Sequence, residues 1–181
     1  MIDMASNFYT ILSRDYAAKQ SVVQSALDAA YDAFMQANLG GGKAARVREG
    51  YWYDLEEAGA SSYNHSNELT FGSSTNAYGF PYAAILKFTV PQSKVFAFYG
   101  ISDYAANPSL AAWEVEQNGV AFPLFYIVPH LYTSEDKTAY LNGTLPALIP
   151  NRSATITLYG TAATTDPIDL KFMVAEPPAE L

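Results

Sequence analysis

Cysteine is absent from the 181 residues, and histidine occurs only twice, at His65 and His130. The first absence removes disulfides, thiolate nucleophiles and Cys-based zinc sites. The second leaves too few imidazoles for a histidine metal centre, and no HExxH spacing is present. Charge is scarce as well: charged residues make up 15% of the chain, below the usual quarter or so. Ten basic residues stand against 18 acidic ones, and the net charge is −8. That balance excludes a broad electrostatic grip on nucleic acid, which needs clustered Lys and Arg. No apolar run approaches the ~18 residues of a membrane-crossing helix. The stretch Met1 to Thr10 lacks the charged and apolar regions of a secretory signal.

Tyrosine is what the chain has in excess, with 14 copies. Tyrosine joins apolar area to a hydroxyl that tolerates partial exposure, so it is enriched where proteins touch one another. Few charges and many tyrosines together suggest a surface covered by sister subunits, a glycan or another partner. The expected contact residues are Phe8, Tyr9, Tyr31, Phe34, Tyr51, Trp52, Tyr53, Tyr104, Tyr132 and Tyr140.

Residues with chemistry in them do not assemble into a motif. Gly40-Gly41-Gly42-Lys43 follows a helical pattern rather than a strand and lacks the G-x-x-x-x-G-K-[ST] form, so it reads as a helix stop. No G-x-S-x-G elbow occurs. Glu114 and Glu116 fall on one face of an expected strand, where they read as a solvated face before they read as a glycosidase pair. Asp103, Asn107 and Asp166 sit in expected loops and carry oxygen ligands, without the dense spacing of a calcium loop. Tyr51, Trp52, Tyr53 and Tyr63 offer aromatic faces of the kind that stack on sugar rings. Sequons at Asn64, Asn142 and Asn151 read as incidental. The basic group Lys43, Arg46 and Arg48 reads as a solvated patch or a contact for an acidic neighbour. The expectation is a non-enzyme with no cofactor and no metal.

The hydrophobic rhythm changes at Gly40 to Gly42. Before it, Val23, Leu27, Ala30 and Phe34 recur at helical spacing, predicting a helix from near Ser13, or from Ser21, to Leu39. After it come eight short strand patterns: Arg46 to Asp54, Asn67 to Phe71, Ala83 to Val90, Lys94 to Ile101, Ala111 to Gln117, Val120 to Leu131, Ser153 to Tyr159 and Ile168 to Val174. Asn118-Gly119 marks a hairpin, and Pro123 and Pro129 demand an edge or bulge. Long intervening stretches at 55–66, 72–82, 102–110 and 132–152 read as functional loops. The expected architecture is mainly β: an eight-stranded antiparallel jelly-roll β-sandwich over 43–181, preceded by an N-terminal arm and one amphipathic α-helix over 1–42.

The phrases FTVPQSKVFAFYGI, LAAWEVEQNG, FPLFYIVPHLYTSEDKTAYLNGT, PALIPNRSATITLYG and DPIDLKFMVAE follow one another between about 83 and 176. Their pattern resembles the single jelly-roll capsid proteins of tail-less icosahedral double-stranded DNA phages with an internal membrane. The resemblance implies a capsid or capsid-decoration subunit, made in the host cytoplasm and ending in the virion. It implies self-assembly into a homo-oligomer, a second capsid protein as partner, and an N-terminal arm docking on a neighbour. An internal membrane beneath such a shell removes the need for a basic, nucleic-acid-binding face. The alternative reading is a non-catalytic carbohydrate-binding or receptor-binding β-sandwich.

Overall fold

The computed structural model describes residues 9–11, 16–60, 62–63, 67–121, 125–126, 138–142 and 146–179. Phe8, His65, His130 and Tyr132 fall outside them. Two antiparallel sheets and one N-terminal helix dominate. Helix α1 spans Tyr16–Gln36 and a short helix α2 spans Trp52–Glu57. The first sheet runs β1(Tyr9–Ile11), β10(Thr138–Asn142), β6(Val95–Asp103), β13(Thr165–Glu176), β2(Arg46–Glu49), with β11(Ala147–Leu148) also on β6 and β3(Glu68–Thr70) on β13. The second runs β4(Gly72–Ser73), β5(Tyr82–Thr89), β12(Ser153–Gly160), β7(Leu110–Gln117), β8(Val120–Ala121), with β9(Phe125–Tyr126) also on β7. Among the described residues the strands fall into thirteen segments.

Inward residues of both sheets form one core. Phe98 stacks on Phe172 at 5.0 Å and meets Trp113 of the second sheet edge-on at 6.3 Å. The outward face of the first sheet has its own cover. Val22, Ala26, Ala30 and Phe34 form a row at intervals of four along α1 and pack on Val95, Ala97, Tyr99, Tyr140, Met173 and Ala175. Val23 and Leu27, expected at the centre of the stripe, are only partly buried at its flank. The alanines explain the rotation: they let the helix backbone come close to Ala97 and Ala175.

The helix stop also differs from the expected one. The Leu39 amide donates to the Phe34 carbonyl and the Asn38 amide to the Met35 carbonyl, with Asn38 left-handed at φ 52°. That is a Schellman cap, closed by Asn38 before the glycines are reached.

The expected strand Arg46 to Asp54 ends at Glu49. Gly50 lies so close to the Phe172 ring that a Cβ there would overlap it. The chain turns there into α2, whose start is held by the Asp54 carboxylate accepting the Tyr51 amide at 2.8 Å. The expected loop 132–152 contains β10 and β11. Thr138 to Leu141 are all buried, Ala139 and Leu141 in the main core and Tyr140 under α1, so no alternation marks β10 in the sequence. The Asn118-Gly119 hairpin is as expected: both residues have positive φ and join Gln117 to Val120.

Candidate interaction surfaces

Three places in the described residues gather polar or aromatic groups. The first surrounds α2. Arg48 forks onto Asp54, Nη2 to Oδ1 at 2.7 Å and Nη1 to Oδ2 at 3.0 Å, and its Nε reaches Glu176 at 3.0 Å. Arg46 and Lys94 also pair with Glu176, at 3.5 and 3.6 Å. The expected basic patch is thus largely spent inside the chain. The Asp54 and Glu176 carboxylates hold the Arg48 guanidinium far above its ordinary value, against the effect of burial. This network fixes α2 and leaves Tyr51 and Tyr53 on its surface. Their rings stack at 5.5 Å, about half of Tyr51 is exposed, and Trp52 meets Tyr53 edge-on at 5.8 Å.

The second place is the outward face of the second sheet. Asn76 organises the turn before β5: its side chain donates to the Phe80 carbonyl at 2.8 Å and accepts the Tyr78 amide at 3.1 Å. Phe80 then stacks on Tyr159 and Tyr78 meets it edge-on, each at 5.4 Å. Glu114 accepts the Tyr78 hydroxyl at 2.9 Å and the Tyr159 hydroxyl at 3.4 Å. Burial, followed by the Glu114 charge, pushes the Tyr159 phenol up to about 12. Beside this group the face carries Ile85, Lys87, Thr155 and Thr157 in register, and among the described residues no helix packs across it.

The third place is the end of the sandwich where Asp103 and Asp166 meet. Both are buried; Asp103 accepts the Ala105 and Leu110 amides, and Asp166 accepts the Ser109 amide. Asn107, the third expected oxygen ligand, is exposed in the adjoining loop. Among the described residues, no group of three or more His, Cys, Asp or Glu is placed to hold a metal ion.

The expected contact residues scatter. Tyr31, Tyr51, Tyr53 and Tyr104 are exposed, and Trp52 is half-buried against the core. Phe34 and Tyr140 are not available to a partner: Phe34 is buried beneath α1, and Tyr140 stacks on Tyr99 at 6.4 Å. Tyr9 lies in β1 on the β10 edge. Tyr63 is no sugar platform either. It is buried, its hydroxyl donates to the Ile168 carbonyl at 3.0 Å and accepts the Leu170 amide at 3.2 Å. No local pattern announces the Tyr78–Glu114–Tyr159 group, whose members lie in a turn and two separate strands; only the half-buried alternation of β7 marked Glu114. No helix among the described residues is long and apolar enough to cross a membrane.

No protein-family model matches the chain, and no curated protein matches it. Among solved structures, dimeric latent PorU from Porphyromonas gingivalis is similar at TM-score 0.32 and 8% identity, over 72% of this chain and 12% of that one. A cycloisomaltooligosaccharide glucanotransferase from Paenibacillus sp. is similar at TM-score 0.27 and 16% identity, over 58% and 16%. An acetyl xylan esterase from Butyrivibrio proteoclasticus is similar at TM-score 0.28 and 9% identity, over 74% and 32%. The chain thus spans no more than about a third of any of these three, and likeness at this level defines no family.

Proposed function

We propose that the chain is a non-catalytic structural subunit of a virus shell, a capsid or capsid-decoration protein built on a jelly roll. Strand pairing is the observation that carries this reading. Counting β2 with β3, β8 with β9 and β10 with β11 as single broken strands, and setting aside β1 at the β10 edge and β4 at the β5 edge, leaves eight. The first then pairs with the eighth (β2 and β3 on β13), the second with the seventh (β5 on β12), the third with the sixth (β6 on β10 and β11) and the fourth with the fifth (β7 on β8 and β9). One long hairpin rolled into two sheets has this order, and β13 on β6 with β12 on β7 closes the roll. Jelly rolls of this kind serve viral capsids, lectins and cupins. The charge-poor composition and half-exposed tyrosines favour subunit contacts among those uses.

In this reading the partners are further copies of the chain and a second capsid protein, in the virion, and α1 belongs to the subunit's own fold rather than to a neighbour. Sedimentation velocity across protein and salt concentration tests it. Large, concentration-dependent species are expected, alone or with the co-expressed shell partner; a strict monomer under both conditions overturns the reading. The stacked Tyr51–Tyr53 pair favours a second reading, a glycan-binding module. Glycan binding that disappears in Tyr51→Ala with the oligomeric state unchanged would select it.

A further inference from the structure

The outward face of the second sheet keeps its opposite charges apart. Thr155 of β12 lies opposite Lys87 of β5 on one side and Glu116 of β7 on the other. Thr157, two residues on, lies in the same way between Ile85 and Glu114. The backbones of Lys87 and Glu116 are therefore two strand spacings apart, about 9–10 Å, with β12 between them. Among the described residues neither belongs to an ion pair. Glu114 differs, because its two oxygens already accept the Tyr78 and Tyr159 hydroxyls. Lys87 is exposed, and Glu116 is half-buried.

We infer that a second copy of the chain docks on this face, with Lys87 of each copy on Glu116 of the other. A two-fold axis lying along β12, between two facing sheets, exchanges left for right and keeps the position along the strand. It sets β5 of one copy over β7 of the other and closes the Lys87–Glu116 pair twice. Such an interface is isologous, each residue meeting the other's counterpart. A two-fold axis across the strands sets β5 over β5 and β7 over β7, so it leaves the lysine and the glutamate apart. Facing sheets pack about 10 Å apart, a gap that a lysine and a glutamate reaching from opposite sides can span. Thr155 and Thr157 are short, so β12 raises no ridge between the sheets. Beside Lys87 lies a depression lined by Gly59, Thr89, Ser153 and Thr155, and its hydroxyls offer donors to an incoming carboxylate. The patch ends where Tyr78 and Phe80 cover Tyr159.

A second copy fits better than another occupant because the face carries both halves of the pair. A partner of one charge sign covers either Lys87 or Glu116 without a counterion, which costs affinity. The inference rests on the proposal that the chain's partners include further copies of itself, but it does not need a shell.

The test is sedimentation velocity of the whole protein and of two charge-reversed variants. Lys87→Glu sets like charges at both contacts, and Glu116→Lys does the same with the other sign. Each should raise the dissociation constant of the dimer at least about tenfold. Mixing the two variants should restore association as a heterodimer, because every contact then joins a lysine to a glutamate. Should either variant fail to fold, carbodiimide crosslinking of mixed light and heavy wild-type chains decides, with a Lys87–Glu116 bond between copies expected. A wild-type chain that stays monomeric, a dimer indifferent to both reversals, or variants that do not recover on mixing overturns the docking face. Large species that keep their size under both reversals also overturn it, while the shell reading stands. A dimer restored by mixing, with no larger species alone or beside the co-expressed shell partner, supports the face and counts against the shell.

Discussion

The two sheets have opposite outward faces. That of the first is apolar, with Val95, Ala97, Tyr99, Tyr140, Met173 and Ala175, and α1 lies across it. That of the second alternates, so Ile85, Lys87, Thr155, Thr157, Glu114 and Glu116 point out, and among the described residues no helix lies above them. Strand β6 is buried at all nine positions, whereas β5 alternates buried and exposed from Ala84 to Thr89. A strand records in its own sequence how many of its faces are covered. The helix is therefore a third layer of one fold, because the face beneath it is as apolar as the interior.

Removing the helix breaks this comparison most severely. A chain lacking residues 1–42 is expected to lose cooperative folding or to aggregate, because it exposes the second apolar cluster whole. A cooperative thermal transition near that of the full chain would show that the sheets stand without α1. Phe34→Ala tests the same contact at one point. Phe34 is fully buried, so about 3–5 kcal/mol of stability should be lost in urea unfolding.

The ion network under α2 comes next in size. Arg48 and Asp54 form a bidentate pair with Asp54 almost wholly buried. Asp54→Ala strands the Arg48 guanidinium beside Glu176 and frees the Tyr51 amide, and about 2–4 kcal/mol should be lost. Near-ultraviolet circular dichroism should change as well, because the Tyr51–Tyr53 stack depends on α2. Loss of stability with an unchanged aromatic spectrum would separate the network from the tyrosine pair.

Legibility in the sequence followed the same division between faces. Strands β5 and β12 were readable because one face of each alternates with exposed positions, β13 because it alternates as far as Lys171 before α1 covers it, and the hairpin at Asn118-Gly119 because its turn residues are diagnostic. Helix α1 was readable as a helix, and Ala30 and Phe34 of its expected row are buried, but Val22 and Ala26 take the places expected of Val23 and Leu27. Strand β10 was hidden because both its faces are covered. Helix α2 was hidden because Tyr51, Trp52 and Tyr53 favour strands locally, and Gly50 against Phe172 and the Asp54 cap override that preference. Asp103 and Asp166 were singled out for their oxygens, 63 positions apart in sequence. Their placement at one end of the sandwich depends on strand register that no local pattern contains.

The smallest expected effect falls on the bare sheet. Ile85 is 54% exposed at the centre of that face, opposite Thr157. Ile85→Lys should change monomer stability by no more than about 0.5 kcal/mol, as surface substitutions do. Sedimentation velocity gives the same substitution a second reading. If copies of the chain or a shell partner cover this face, a lysine at its centre buries an unpaired charge in the interface, and large species should shrink or disappear while the thermal midpoint stays put. If assembly survives intact, the contacts lie elsewhere, and the exposed Tyr51, Tyr53 and Tyr104 become the surface to substitute. A clear loss of stability in the monomer itself would mean that the second sheet has a cover in solution too, and the difference between the two faces would vanish.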